Sequence, residues 1–86
     1  MTQEVRQRIA EQTNVPPDRI VISFTHSHTT PKVNGASDNI FSQAIPAQHQ
    51  EHIDRYTKEL ADQLVSVAVQ AVTKLEPATL AWEQGP

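Results

Sequence analysis

The 86-residue chain contains no cysteine, 2 glycines and few aromatic residues. Without thiols it has no disulfide, no thiolate metal site and no cysteine nucleophile. The aromatic fraction is 5% and the hydrophobic fraction is 37%, which is low for a domain with a core of its own. A chain of this size buries only about 60–65% of the surface that the unfolded polypeptide exposes, so we expect a narrow stability margin.

The chain also has little positive charge, with 7 Lys and Arg against 10 Asp and Glu, and its net charge is −3. It has no basic block, so we expect no nucleic-acid partner. No apolar run is long enough to span a bilayer, so we expect no transmembrane segment. The residues after Met1 are polar and lack the apolar region of a secretory signal, and the localisation stays open.

Hydrophobic periodicity predicts two helices. The first covers 2–13, with Thr2 as its N-cap and with Val5 and Ile9 on one buried face. The second covers 46–74, because its apolar residues recur every three or four positions. The apolar residues that form its predicted buried face are Ile53, Tyr56, Leu60, Leu64, Val67, Ala71 and Leu75.

Two short segments predict strands. Ile20–Phe24 is rich in β-branched residues and apolar on both alternating faces at its start, which is typical of a covered strand in a parallel sheet. Thr79–Glu83 follows the Pro77 that ends the second helix, and it predicts the other strand. The long loop 29–46 contains an Asn34–Gly35 turn signal, with Phe41 and Ile45 as its expected anchors. Loops of this length are usually functional.

The predicted order is helix, strand, long loop, helix, strand. This order predicts an α/β fold with a right-handed parallel βαβ crossover. Two parallel strands with one or two helices leave an apolar strand uncovered, so the sheet would be marginal. We therefore expect residues 1–86 to be one part of a larger domain, in which the rest of a parent polypeptide or another chain completes the sheet.

His26 and His28 directly follow the first predicted strand. The strand period of two would project both rings to the same side. The pair would lie just past the carboxyl end of the strand, where parallel sheets place catalytic groups. Two imidazoles one residue apart can share a metal, or one can bind it while the other contacts substrate. A catalytic zinc takes three protein ligands and a water. The alternative is that both are ordinary loop histidines bonded to neighbouring Ser and Thr, and H-x-H alone does not decide.

The stretch Arg19–Pro31, which reads R-I-V-I-S-F-T-H-S-H-T-T-P, resembles the T-H-T-H-S-G-P segment of the neutral, non-lysosomal ceramidase family. The preceding helix and turn, and the later helix leading to 75–80, also resemble the N-terminal catalytic domain of that family. The likeness covers most of the chain but a small part of the family's domain. The chain departs from the motif at Ser27, Thr29 and Thr30, where the family usually has Thr, Ser and Gly.

The resemblance implies a zinc-dependent amidohydrolase that cleaves the N-acyl amide bond of ceramide or a similar lipid amide. It implies that His26 is a zinc ligand and that His28 is a catalytic residue beside the metal. The family's other ligands are a histidine, a glutamate and a tyrosine from much later in its chain, with no counterpart here. The resemblance therefore implies that this chain is inactive alone.

Two other interpretations stay open. A barrel-type metal-dependent amidohydrolase also begins with H-x-H after its first strand, although a further strand would normally follow soon. A small non-catalytic binding module would instead pair its exposed strands with a partner and use no metal. His49 and His52 form a second, weaker candidate pair, since two histidines three apart on a polar first helical turn are usually solvated.

Overall fold

A computed structural model describes residues 1–37 and 43–85. Helix α1 spans Thr2–Thr13 and helix α2 spans Ala47–Thr73, with a 3-10 turn at Pro17–Arg19 between them. Helix α1 packs on α2 and also contacts the 3-10 turn. The described architecture is thus a pair of packed helices joined and followed by non-helical segments. Neither described helix combines the length and the apolar composition needed to cross a bilayer.

Helix α1 forms as its sequence predicts. Val5 and Ile9 lie one turn apart and are both buried. The helix ends at Asn14, whose left-handed backbone (φ 60°) lets its N–H donate to a carbonyl of the last turn at 3.1 Å. The predicted bounds are confirmed, but Thr2 as N-cap is wrong. Met1 occupies that position, without a side-chain capping bond.

The buried core is small. It contains Val5 and Ile9 of α1 with Ala61 and Val65 of α2. Partly buried hydrophobic residues surround these four: Met1, Ile20, Ile22, Leu64, Ala68 and Val69.

The bounds of α2 differ by one residue at each end from the predicted 46–74. Its predicted buried face is wrong in the C-terminal half, where Val67 is 61% exposed and Leu75 is also exposed. Ala61 and Val65 face α1 instead. The reason is that α1 has only 12 residues and covers one narrow strip of a 27-residue helix.

The predicted α/β fold is wrong. The described residues form no strand and no sheet, so there is no right-handed parallel βαβ crossover among them. Segments 20–24 and 79–83 are both non-helical, without a strand ladder. Ile20 has strand-like angles (φ −106°, ψ 115°), so the local backbone preference is realised there. A strand also needs a hydrogen-bonded neighbour, which the sequence pattern of one segment cannot supply.

The chain leaves much apolar surface uncovered. Val21, Phe24, Leu80 (98% exposed) and Trp82 (90% exposed) all face solvent. The accessible surface is 7692 Å², whereas a compact monomer of this length exposes about 5,100 Å². The radius of gyration is 17.0 Å, against about 12 Å for a compact domain of this length. The helix pair is therefore the compact part of an open molecule.

The long loop is described at 29–37 and 43–46, where it is not helical. The predicted Asn34–Gly35 turn is confirmed, and Gly35 has the positive φ (77°) that glycine tolerates best. Ile45 is half-buried, and Phe41, the other expected anchor, lies outside the described residues.

Candidate functional site

The segment leading to the histidine pair is fixed on the helix pair at two points. The Arg6 guanidinium of α1 donates to the Pro17 carbonyl, with Nε at 2.8 Å and Nη2 bonded to the same oxygen. Ile20 and Ile22, which follow the 3-10 turn directly, pack against the buried core. The chain therefore reaches residue 25 from an anchored segment.

His26 and His28 lie side by side. Their ring centroids are 4.9 Å apart and the ring planes are inclined at 51°, so the rings are neighbours but not stacked. Both residues are exposed. The structure thus brings together the two residues that the sequence singles out, on the surface of the molecule.

The reason for their proximity differs from the predicted one. The sequence predicts that the strand period of two carries both rings to one side. Instead, His26 has a left-handed backbone (φ 56°), which interrupts any strand alternation between residues 26 and 28. Histidine is among the non-glycine residues that adopt this conformation more often than most.

Among the described residues, the neighbouring Ser and Thr side chains form no hydrogen bond with either imidazole ring. Within the described residues, neither ring takes part in a hydrogen bond or an ion pair. Ser27 instead bonds locally: its Oγ accepts from the Thr29 N–H at 3.4 Å, and its carbonyl accepts from the Thr30 hydroxyl at 3.4 Å. The ring nitrogens therefore remain available to a ligand.

The pair lines a pocket of about 580 Å³. The pocket is formed by residues 24–28, by residues 30–33 and by Ala36 and Ser37. Side chains such as Phe24 and Val33 give it apolar surface beside the imidazoles. A volume of this size lies within the range that small-molecule sites occupy.

The donor set fits part of a zinc site. Neutral imidazole is a common zinc ligand, with a Zn–N distance of about 2.0–2.1 Å. Two imidazoles on one tetrahedral zinc have ring centroids about 5 Å apart by this geometry. The observed separation of 4.9 Å is close to this value. A zinc ion bound to both rings, or bound to His26 with His28 beside it, would agree with this separation. The described residues contain no group of three or more side chains suited to hold a metal, so a zinc ion here would require further ligands.

The second histidine pair is less suited to a site. His49 and His52 are both exposed near the start of α2. Neither lines the pocket of His26 and His28.

Asn34 also belongs to this region, although its sequence pattern predicts only a turn. Its main-chain N–H donates to the Thr57 hydroxyl of α2 at 3.0 Å, and its side-chain amide bonds Asp54 at 2.8 Å and Gln50 at 2.9 Å. The loop that lines the pocket is thereby tied to α2. The partners lie 16 to 23 positions away, and no local sequence signal reveals such contacts.

No protein-family model, no curated protein and no solved structure matches the chain.

Proposed function

We propose that this chain contributes His26 and His28 to the zinc site of an amidohydrolase of the neutral-ceramidase type, acting on the N-acyl amide bond of ceramide or a similar lipid amide. The observation that carries the proposal is the pairing of two exposed imidazoles, 4.9 Å apart, at an open pocket. The resemblance of the segment 19–31 to the family motif supplies the reaction class.

In this proposal His26 is the zinc ligand and His28 is the catalytic residue beside it. His26 and the further ligands would hold the zinc ion, which would supply a more acidic water and polarise the amide carbonyl. His28 stands close enough to His26 to donate a hydrogen bond to the carbonyl oxygen as negative charge develops there, or to move a proton. The apolar side chains of Phe24 and Val33 offer surface to a lipid chain.

The remaining zinc ligands come from polypeptide outside this chain. Two imidazoles are fewer than the three protein ligands of a catalytic zinc, and no third candidate joins them among the described residues. The uncovered apolar side chain of Val21 gives that polypeptide a surface to cover. The chain alone is therefore inactive and binds zinc weakly.

Zinc affinity of the chain and its variants tests the metal site. His26→Ala should weaken zinc binding by about tenfold or more, since even residues that only support a ligand cost 10–100-fold. The matched control is His49→Ala, which removes an exposed histidine outside the pocket and should leave the affinity unchanged. Equal affinity in the wild-type chain and the His26→Ala variant would reject the site.

Activity of the natural protein that carries the remaining ligands tests the reaction. In that protein, His26→Ala should abolish both the binding of zinc and the hydrolysis of ceramide. His28→Ala should lower turnover while zinc is retained, because its role is beside the metal. Retained zinc and full turnover in His26→Ala would reject the assignment.

The second candidate function is a non-catalytic interaction module, which the exposure of Leu80 and Trp82 favours. A module would cover these residues with a partner and use no metal. Zinc stoichiometry separates the two, since a module binds no zinc at His26.

A further inference from the structure

We infer that Asn34 is a positioning residue for the pocket: it fastens the pocket wall, residues 30–33, to α2 and so holds that wall in place against His26 and His28. The inference goes beyond the proposed function, because it concerns the shape of the pocket whatever ligand enters it. The contacts of Asn34 and the restricted backbone rotation of the wall carry it.

Asn34 bonds α2 through three separate groups. Its main-chain N–H donates to Thr57 Oγ1 at 3.0 Å, its Nδ2 donates to Asp54 Oδ1 at 2.8 Å, and its Oδ1 accepts from Gln50 Nε2 at 2.9 Å. The three partners are at positions i, i+4 and i+7 of α2, so they form one stripe along the helix. We call these four residues the Asn34 clamp.

The partners are themselves held in position. The Thr57 hydroxyl donates to the Ile53 carbonyl of its own helix at 2.7 Å, so its lone pairs remain for the Asn34 N–H. Gln50 Nε2 also donates to Asp54 Oδ1 at 2.7 Å. Hydrogen bonds from Asn34 and Gln50 hold the pKa of Asp54 below its usual value, so its carboxylate is ionised and a strong acceptor at neutral pH.

The wall between the clamp and the histidines has restricted backbone rotation at Thr30 and Pro31. Pro31 fixes its own φ, and it restricts the preceding Thr30 to extended conformations. The Thr30 hydroxyl also bonds the Ser27 carbonyl at 3.4 Å. Backbone rotation is thus restricted at Thr30 and Pro31, midway between Asn34 and His28, so holding Asn34 in place limits the positions that the wall can take.

The chemistry of the clamp requires asparagine at position 34. The amide both donates to Asp54 and accepts from Gln50. An aspartate could not donate to the carboxylate and would place a second negative charge beside it. Asn34→Asp should therefore disturb the wall more than Asn34→Ala.

Two variants of one helix residue make the sharpest test. Thr57→Val removes the hydroxyl with little change of shape, whereas Thr57→Ser keeps it. In NMR spectra of the full chain, Thr57→Val should speed hydrogen exchange of the Asn34 amide about fivefold, the scale of one lost hydrogen bond, and weaken the nuclear Overhauser effect between the His26 and His28 rings. Asn34→Ala should weaken that ring signal too, and Thr57→Ser should restore both readouts.

Gln70→Ala is the control, since Gln70 bonds Ser66 on the same helix at 3.1 Å and should change neither readout. Circular dichroism should show the same helix content in every variant. Unchanged ring signals in both Thr57→Val and Asn34→Ala would overturn the inference, as would a Thr57→Ser variant that behaves like Thr57→Val. Neither readout involves zinc, so a failure here is distinct from a failure of the proposed metal site.

Discussion

At the residue scale, backbone angles do as much as side-chain type to build the pocket. His26 and Gly35 both have a positive φ, at 56° and 77°. The first changes the chain direction between the two imidazoles, and the second turns the chain directly after Asn34. The sequence identified the histidines from their spacing and the turn from Asn-Gly, but a left-handed histidine has no local sequence signal.

Gly35→Ala tests the positive φ of the turn. A side chain at φ 77° costs about 1–2 kcal/mol, although no atom would contact the added methyl within 4 Å. We expect a loss of about 1 kcal/mol in the free energy of unfolding, measured by urea denaturation. Gly85→Ala is the control, because it too has open space around it and has no positive φ. Equal effects of the two substitutions would contradict the account.

Asp62 ties the two helices together. Its carboxylate accepts from Arg8 of α1 at 2.7 Å and from Lys58 of α2 at 3.0 Å. Both hydrogen bonds lower the pKa of Asp62, and the bond from Arg8 has the larger effect. The folded pKa lies below the unfolded one, so the stabilisation is fully present above the unfolded pKa and is lost as the pH falls through the folded pKa.

The pH dependence of the melting temperature tests this ion pair. Between pH 7 and pH 3, stability should fall on acidification, and the fall should be smaller in Asp62→Asn, which has no carboxylate to protonate. Glu83→Gln, an exposed residue of the non-helical C-terminal segment, is the control and should follow the wild type. Parallel curves for the wild type and Asp62→Asn would show that the pair does not contribute.

At the element scale, helices could be predicted and strands could not. The bounds of α1 and, within one residue, of α2 follow from periodicity and from Asn14 and Pro46, which are local signals. Ile20–Phe24 has the composition of a strand, and Ile20 has strand-like angles. A strand depends on a distant partner that forms the ladder, and the described residues offer none.

The face of α2 was only partly predictable for the same reason. Its apolar residues cover more than one strip, so periodicity alone allows several buried faces. Which of them is buried depends on the length and position of α1. The observed position of α1 buries Val65 and leaves Val67 exposed to solvent.

Alanine substitutions at these two valines test the packing. Val65→Ala removes two buried methyl groups and should cost about 2 kcal/mol in the free energy of unfolding. Val67→Ala should change it by less than about 0.5 kcal/mol, because the side chain is exposed and alanine is the better helix former. Urea denaturation monitored by circular dichroism measures both. A larger loss in Val67→Ala than in Val65→Ala would contradict the observed packing, because it would mean that a different face of α2 lies against α1.

At the scale of the whole molecule, the structure is open. In the part of the chain that the structure describes, four buried hydrophobic residues hold the helix pair together, while large apolar side chains such as Phe24 and Trp82 are exposed. This exposure is the physical basis for expecting a covering polypeptide. It also agrees with the proposal of a zinc site to which this chain contributes His26 as a ligand and His28 beside it.

Small-angle scattering of the monomeric chain tests the openness. We expect a radius of gyration close to 17.0 Å. A compact domain of this length would give about 12 Å. The compact value, from a sample of monomeric mass, would contradict the open arrangement and the exposure of its apolar segments.

The proposed function depends on zinc binding at His26, with His28 beside the metal. Imidazole ¹⁵N NMR of the chain during a zinc titration tests this most directly, because it resolves all four histidines. We predict a large coordination shift at one ring nitrogen of His26, a concurrent change at His28, and none at His49 or His52. Coordination shifts at the α2 histidines, or an unchanged His26, would contradict the account.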